Sequence, residues 1–427
     1  MNISVNDLSS VDKEIVITAT REELANTFDK AFRKYRSQMN IPGFRPGKAP
    51  LDIVRKRFGK EIEQEEVRTY VLDIYNDKIV EEYKPIGESL FKEIIWENDK
   101  LNAVIQIGLE PIFELSDLAE IELDKLIHDA TEDDVDKEIE FLLEKEGSWS
   151  TVEQAATENN RLILDIHAKD HDGNLIDNDV DPDQEMDLRD AKNADYKPFL
   201  LGKVAGDEVD AEIKHGDHSH QYKLVVKEVQ TLVKPEISED LVEKFTNGEY
   251  KNLDEYRAFL KSKVQDYFDQ TADTMLKNHL VDVLVEKHVF DVPKTLIEML
   301  IKRYVEDLKK QYKITTEINV DPFREEYTPK AIKEARWYFI SDKLEAKFGS
   351  EITVEQADLL AYFEKQAAQV GYPADMLMSF YESQPEQLET VHKQIQQEKV
   401  YDKSLEFVKI NELAKDAYEE KHFKKQN

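Results

Sequence analysis

Apolar residues in the first 110 positions recur at two spacings, one typical of strands and one typical of helices. Segment 14–20 is a short apolar run with β-branched residues, which predicts a strand. In segment 21–38, apolar residues return every three or four positions, which predicts a helix capped by Thr20. Two helices and two strands are predicted to follow, over residues 51–58, 61–83, 90–96 and 101–109. This mixture predicts an α+β domain over residues 1–111.

The next 120 residues change from an extended linker to a β-rich segment. Residues 112–149 are predicted as an extended stretch and a helix, capped by Thr131 and ended by Gly147, that packs with the C-terminal body. Residues 150–234 contain apolar runs separated by glycines and acidic turns, which predict a small β-rich domain. The clearest strands in it are predicted over residues 161–168 and 222–229.

Residues 235–427 carry a helical pattern almost throughout. Only three of the thirteen glycines lie here, and a three- or four-residue apolar spacing from Leu253 to Leu284 predicts a helix of about 45 Å. Further helices are predicted over residues 294–313, 329–348, 353–370 and 385–420. We therefore expect an extended all-α arm domain with apolar surface that its own core leaves uncovered. The fold class is α+β multidomain.

The composition is that of a folded protein without cysteine. With 427 residues, 40% of them hydrophobic and 9% aromatic, the chain can bury several cores. The absence of cysteine excludes disulfides, thiolate metal sites and cysteine nucleophiles. No run of about 18 apolar residues occurs, and the first residues lack the pattern of a secretion signal. A cytoplasmic location without a membrane partner is expected.

The charge is strongly negative and unevenly distributed. The chain has 58 Lys and Arg against 91 Asp and Glu, a net charge of −33, which disfavours general binding to nucleic acid. Residues 30–60, here called the basic segment, hold ten basic residues and one acid. This segment carries +9 and leaves −42 for the rest of the chain. It is either a solvated helix face or a docking surface for an anionic partner.

A loop rich in proline and glycine lies in the middle of the basic segment. Residues 41–50, here called the basic loop, contain three prolines and two glycines, which exclude a helix and favour fixed turns. Phe44 lies near its centre, next to Arg45 and close to Lys48. Such a loop suits docking onto an RNA and protein surface, because cations bind phosphates or acidic side chains and the ring stacks or fills a pocket. The alternative is a structural turn whose Phe44 packs inward.

These residues resemble a signature of the bacterial trigger factor family of ribosome-associated chaperones. The chain matches the pattern Gly-Phe-Arg-x-Gly-Lys-x-Pro at Gly43, Phe44, Arg45, Gly47, Lys48 and Pro50. The order of α+β head, linker, β-rich domain and helical arms is also similar, and Val292-Pro293 resembles the inter-arm turn of that family.

The resemblance implies that the basic loop docks beside the exit tunnel of the large ribosomal subunit, against protein and rRNA. The ribosome-binding residues that it implies are Gly43, Phe44, Arg45, Gly47 and Lys48. Pro46 departs from the pattern, since many members carry Lys or Arg there. This difference is expected to weaken or reshape the contact without abolishing it.

The β-rich domain resembles the FK506-binding type of prolyl isomerase that trigger factors carry, but the pocket departs from that pattern. Such an enzyme needs an aromatic-walled apolar pocket that desolvates and twists the X-Pro amide. Ile166 stands where an aromatic is usual, and residues 193–196 replace the segment Ile-Pro-Gly-Phe. The catalytic candidates are Ile166, Tyr196, Phe199 and Tyr222. A degenerate domain that binds peptides or acts as a spacer is expected, with an active isomerase as the alternative.

Two further patterns suggest a metal site, but neither is specific. Three histidines lie around Asp217 within residues 215–220, yet histidines in a tight turn more often form a solvated loop. Segment 177–188 begins like a calcium-binding loop but has Pro182 and Leu188 where Gly and Glu are required. Neither a metal nor a cofactor is predicted.

Dense apolar and aromatic clusters in the helical region are candidates for binding unfolded chains. Each such residue taken alone is more often part of a core, but an arm-shaped body cannot bury all of them. Flexible Met side chains and flat aromatic rings also accept many sequences. The client-binding candidates are Trp337, Phe339, Met376, Met378, Phe380 and Tyr381.

The sequence thus predicts an ATP-independent chaperone that docks at the ribosomal exit tunnel and binds nascent or unfolded polypeptides in a helical cradle. The family resemblance also implies a homodimer off the ribosome. The alternatives are an active prolyl isomerase and a ribosome-independent holdase.

Overall fold

The computed structural model describes residues 1–38, 40–45, 47–170, 172–215 and 218–423, except the side chains at 177, 178, 215, 218, 368 and 369. The chain divides into two compact units. One contains Met1–Leu126, Asp273–Leu413 and the residues from Ala417 on, and the other contains Ile127–Ala272 with Ala414–Asp416. The α+β multidomain class is confirmed. The finer division at residues 111, 149 and 234 stays a prediction.

The first part of the chain is an antiparallel sheet covered by helices, here called the head. Its strands are β1 (Asn2–Asp7), β2 (Asp12–Thr20), β3 (Ile86–Glu97) and β4 (Lys100–Gly108). They pair in the order β1-β2-β4-β3. Its helices are α1 (Arg21–Gln38), α2 (Leu51–Ile74) and α3 (Val80–Tyr83), with a π-helical turn at Tyr75–Ile79.

Alternating burial explains the head. Ile15 and Ile17 on β2 and Ile105 on β4 are fully buried, and they share a core with Leu24 and Phe28 of α1. The strand predicted at 14–20 and the helix predicted at 21–38 are confirmed. β1 escaped prediction because it is an edge strand with mostly exposed residues, so its apolar pattern is weak.

The predicted break between two helices at residues 59–60 is wrong, because α2 runs through Gly59. Val54 and Ile62, on either side of this glycine, are both buried in the head core. Their burial outweighs the penalty of about 1 kcal/mol for one glycine inside a helix.

A short strand, β5 (Glu122–Ile127), follows the head, and the second unit begins at its end. That unit holds α4 (Glu132–Lys145), a five-stranded sheet, α5 (Lys197–Leu200), α6 (Glu239–Phe245) and the first part of α7 (Leu253–Lys287). The strands of its sheet are β6 (Ser148–Val152), β7 (Asn160–Lys169), β8 (Leu175–Asp187), β9 (Glu208–His215) and β10 (His218–Val233). They pair in the order β6-β10-β7-β8, and β9 also pairs with β10. The helix cap predicted at Thr131 is present, and Thr131 forms a capping box with Asp134.

The rest of the first unit is a helical body built around three small cores. Its helices are α8 (Lys294–Gln311), α9 (Arg324–Phe348), α10 (Gln356–Val370), α11 (Ala374–Glu382) and α12 (Pro385–Leu405), together with the end of α7. Leu280 and Leu284 of α7 pack with Ile340 and Leu344 of α9. α8 and α9 form a second core, and α10, α11 and α12 form a third around Phe363.

The helix predicted over residues 385–420 is wrong, because it ends at Leu405. The chain then forms β11 (Lys409–Ala414), which pairs with β5, and α13 (Lys415–His422). The Lys409 amide donates to the Ile121 carbonyl at 2.9 Å, and Val408 packs on the core around Leu280. Pairing with β5 therefore satisfies backbone groups in a segment whose apolar residues suit a strand.

A buried carboxylate holds α13 on β5. Asp124 on β5 is 4% exposed and accepts hydrogen bonds from Lys421 Nζ and His422 Nε2, both at 2.9 Å. Burial alone raises the pKa of Asp124, but the hydrogen bonds from Lys421, His422 and Asn411 outweigh it and leave that pKa below its usual value. The end of the described chain is thus fixed to the helical body by charge.

Among the described helices, none combines the length and the hydropathy needed to cross a bilayer.

Candidate functional site

The basic loop connects α1 to α2 and is fixed to the head at both of its ends. Ile41 is 2% exposed and Ala49 is 3% exposed, and both belong to the head core. Between them, Gly43 and Gly47 have φ of +91° and +75°, a region that glycine adopts without steric cost. The Phe44 amide donates to the Ile41 carbonyl at 3.0 Å and the Lys48 amide to the Arg45 carbonyl at 2.9 Å, so two turns set the shape of the loop.

From the sequence, Phe44 is expected either to be exposed for docking or to pack inward in a structural turn, and its position is intermediate between the two. Its ring is half-buried and packs against the head core, so the inward-packing alternative holds in part. Arg45 and Lys48 are exposed. The loop therefore offers a partly exposed ring and, after it in the chain, two exposed cations. Pro46, the departure from the family pattern, lies outside the described residues.

Most charges of the basic segment have no acidic partner. Arg55 pairs with Asp29 at 2.5 Å, and no other basic residue of the segment lies within 4 Å of an acid in the part of the chain that the structure describes. The exposed basic residues without such a pair are Lys30, Arg33, Lys34, Arg45, Lys48, Lys56, Arg57 and Lys60. An uncompensated positive surface on an acidic protein attracts an anionic partner.

An ion pair between an exposed arginine and a buried carboxylate joins the two helices that carry the loop. Arg21, at the start of α1, donates two hydrogen bonds to Glu63 of α2, at 2.9 and 2.5 Å, and one to Asp99 at 2.5 Å. Trp96 Nε1 also donates to Glu63, at 3.1 Å, and the guanidinium lies over the rings of Phe28 and Trp96.

Glu63 is only 8% exposed, so its charge depends on these partners. The hydrogen bonds that Arg21 donates to Glu63 and then to Asp99 raise the pKa of Arg21 above its usual value. The sequence gives little indication of this contact, because Arg21 and Glu63 are 42 positions apart in segments that look like ordinary charged helix surface. Arg21 lies at the end of α1 that is farthest from the basic loop, about 27 Å away along the helix. The ion pair therefore fixes the helical hairpin at the end opposite the loop.

The isomerase candidates gather at one core of the β-rich sheet. Ile166, Tyr196, Phe199 and Tyr222 are all half-buried and pack against the same buried cluster around Leu224. Burial, and then the proximity of Tyr222, raises the pKa of Tyr196. The arrangement is an apolar patch with two tyrosines, and a catalytic role for it stays a prediction.

The proposed absence of a metal also stays a prediction. Asp217 lies outside the described residues, and so do the side chains of His215 and His218.

The client-binding candidates divide between core and surface. Phe339 is 3% exposed and belongs to the core between α8 and α9, so it is unavailable to a client. Trp337 is half-buried and stacks on Tyr401 with ring centroids 5.4 Å apart. Met378 and Tyr381 are half-buried beside Phe363. Four of the six client-binding candidates are therefore buried or half-buried, as their spacing on amphipathic helices indicates.

The exposed candidates are Met376 and Phe380, with 59% and 54% of their surface accessible. They lie four residues apart on α11 and so share one face of the helix. Three residues that sequence reasoning missed are also exposed nearby in the chain, on α10 and the turn after it: Leu360, Val370 and Tyr372. These five residues are here called the apolar surface.

Comparisons with known proteins give a consistent family assignment. The family model described as bacterial trigger factor protein matches residues 1–142, and the model for the C-terminus of that protein matches residues 252–406. The trigger factor of Chlorobaculum parvum is 28% identical over 412 residues, covering 94% of this chain and 95% of the relative. The trigger factor of Salinibacter ruber is 26% identical, covering 94% of this chain and 92% of the relative.

A solved structure of similar fold is described as "Promiscuous Substrate Recognition in Folding and Assembly Activities of the Trigger Factor Chaperone". It is 21% identical, with a TM-score of 0.51, and the match covers 95% of this chain and all of that one. This likeness supports the fold.

Replacing Glu63 by Gln tests whether the ion pair holds the helical hairpin. The change removes the charge that Arg21 binds, and we expect the head to lose roughly 1.5–3 kcal/mol of local stability, the range for hydrogen bonds to charged groups. Hydrogen–deuterium exchange of the α1 and α2 amides in the full chain measures the loss. Glu65→Gln is the matched control, because Glu65 is exposed on the same helix. Equal protection in the two variants would show that the ion pair contributes nothing.

Proposed function

This chain belongs to the trigger factor family, and from that premise we propose that it is an ATP-independent chaperone that docks on the large ribosomal subunit beside the exit tunnel. The observation that carries the proposal is the basic loop, which presents Phe44, Arg45 and Lys48 from a fixed frame within an uncompensated positive surface. We place the protein in the cytoplasm, with ribosomes and nascent chains as its partners.

The charge distribution supports a single docking point. The basic segment carries +9, and rRNA phosphates or acidic ribosomal proteins would bind it. The remaining −42 is repelled by phosphate, so the rest of the protein stays away from the rRNA. Electrostatics thus favours one orientation, with the head inward and the other parts outward.

The apolar surface is proposed as the site that binds clients. Met376 has a flexible thioether side chain, and Tyr372 and Phe380 add flat rings, which suits contacts with many different sequences. Affinity for any one segment would be weak, so a client that buries its own apolar residues leaves without nucleotide hydrolysis. Off the ribosome, the same surface would allow two copies to pair.

The second candidate function is prolyl isomerisation. This function is favoured by the packing of all four isomerase candidates on one core. However, Ile166 is aliphatic where the family usually has an aromatic residue, and the other candidates are two tyrosines and one phenylalanine. We propose that this domain contacts peptides or acts as a spacer, without isomerase turnover.

The docking proposal predicts that a triple change of Phe44, Arg45 and Lys48 to Ala removes binding to ribosomes. Three contacts of about 1 kcal/mol each together lower the affinity roughly a hundredfold. Co-sedimentation with ribosomes measures it, and wild-type binding should also fall steeply with salt. The control changes Phe91, Lys92 and Lys100 to Ala, which removes one aromatic ring and two cations that are exposed on the head outside the loop. Unchanged co-sedimentation of the loop variant would refute docking through the loop.

The client proposal predicts that Met376→Ser with Phe380→Ser weakens the suppression of aggregation of a denatured protein. The two changes remove apolar area from one helix face and leave the core around Phe363 untouched. The control is Ile112→Ser with Val289→Ser, which removes two apolar side chains that are 100% and 75% exposed elsewhere. If both variants protect the denatured protein equally well, the apolar surface is not the client site.

The spacer proposal predicts isomerase turnover near the uncatalysed rate on an unstructured X-Pro peptide. A protease-coupled assay measures the rate. A rate well above background that drops in a Tyr222→Ala variant would assign catalysis to the patch.

A further inference from the structure

We propose that Asp12, Gly87 and Gly108 form a rigid joint between the head and the helical body, and that they are positioning residues. Asp12 begins β2, Gly87 lies on β3 and Gly108 ends β4. All three contact the first turn of α8 or the residue just before it. Local sequence patterns do not reveal this contact, because 209 positions separate Ile86 from Thr295 and 282 separate Asp12 from Lys294.

The two glycines allow the backbones to approach more closely than any side chain permits. A Cβ on Gly87 would lie 2.5 Å from the Leu296 nitrogen and 2.6 Å from the Thr295 carbonyl carbon. A Cβ on Gly108 would lie 2.2 Å from Thr295 Oγ1 and 2.4 Å from Pro293 Cβ. Real Cβ atoms do not come this close to other heavy atoms, and the neighbours are backbone atoms of α8 at Gly87 and mainly side-chain atoms of Thr295 and Pro293 at Gly108. The strand ends and the helix therefore fit together without space for a side chain or for sliding.

Asp12 supplies a cap that α8 lacks in its own sequence. Pro293 precedes α8 and its side chain makes no capping hydrogen bond. The Lys294 amide instead donates to Asp12 Oδ1 at 3.0 Å, across 282 positions of sequence. Asp12 is 3% exposed and also accepts a hydrogen bond from Ser9 Oγ at 3.3 Å. A carboxylate at the start of a helix is favoured by the helix dipole, so this contact is both directional and buried.

Further buried contacts between the head and α8 surround these three residues. Thr295 is fully buried, and its Oγ1 donates to the Ile86 carbonyl at 2.6 Å. Ile86, next to Gly87, packs against the core that Leu296 and Leu300 of α8 form with α9. The side chain of a head strand is thus part of the helical body's own core.

An ion pair and a hydrogen bond lie at the edges. Lys302 pairs with Glu88 at 2.7 Å, and Ser10 Oγ donates to Asp291 Oδ2 at 3.0 Å. Interfaces between domains of one chain usually allow relative motion because they are polar and loosely packed. This one combines backbone contact, a buried cap and a shared apolar core, and close-packed interfaces of this kind hold one arrangement.

A rigid joint has a consequence for the chaperone cycle. A head held by its basic loop would also fix the direction of α10 and α11, which carry the apolar surface. This consequence rests on the proposed function, whereas the rigidity of the joint does not.

The test is a distance measurement between two spin labels in the free, full-length protein. The chain has no cysteine, so Lys56→Cys on α2 and Lys347→Cys on α9 attach labels at these two exposed positions only. We expect one narrow distance distribution. The changes Gly87→Ala and Gly108→Ala together should convert it to a broad one, because the added Cβ atoms push α8 off the strands. Gly59→Ala is the control, since nothing lies within 4 Å of the Cβ it would add.

Two further measurements separate a loosened joint from an unfolded protein and from a failure of the proposed function. Asp12→Asn keeps the size of the side chain and removes its charge, and should broaden the distribution less than the glycine changes. Far-UV circular dichroism and ribosome co-sedimentation, measured on the two variants without the label positions so that Lys56 is kept, should stay at the wild-type level, because the basic segment is then untouched. A broad distribution in the wild type, or a narrow one in the glycine variant, would overturn the joint whatever the ribosome assay shows.

Discussion

The ion pair between Arg21 and Glu63 is the contact on which the presentation of the basic loop depends. The loop is a connection between two helices, and a connection has a defined shape only if the helices are fixed. Arg21 reaches Glu63 with two hydrogen bonds, and Trp96 adds a third from the sheet, so both helices are tied to β3 at one end. At the other end, Ile41 and Ala49 enter the head core. The loop is therefore ordered before it meets a binding partner, and its positive charges lie on the outside.

The helical body, in contrast to the head, has few buried residues for the number of helices it contains. The third core, among α10, α11 and α12, has Phe363, Val391 and Ile395 as its buried residues. Three helices around so small a core cannot cover all their apolar side chains, which leaves Met376 and Phe380 on the surface. An exposed apolar surface favours aggregation, but a net charge of −33 opposes the assembly of many copies. Stability and the proposed client binding therefore compete for the same residues.

Local patterns predicted much of the fold. The helix at 21–38, the long helix from 253 and the helix cap at Thr131 depend on neighbours in sequence, so spacing and cap residues reveal them. The helix predicted to run from 385 to 420 failed because the pairing of β11 with β5 is a contact across nearly 300 positions. The basic loop was found because its signature is contiguous. Phe339 was misjudged as a surface candidate because an aromatic cluster has the same pattern whether it faces a core or a client. Glu63, Gly87 and Gly108 carry no local signal at all.

Photo-crosslinking on translating ribosomes can detect docking by the basic loop and client binding by the apolar surface in one experiment. A photoreactive amino acid replaces Phe44 in one variant and Met376 in a second, and both are added to ribosomes stalled with a nascent chain. If the basic loop docks on the ribosome and the apolar surface binds clients, position 44 crosslinks to the large subunit near the exit tunnel, and position 376 crosslinks to the nascent chain in the same complexes. Crosslinks from position 376 to unfolded chains without any ribosomal crosslink from position 44 would contradict docking by the basic loop, and would identify a chaperone that works away from the ribosome.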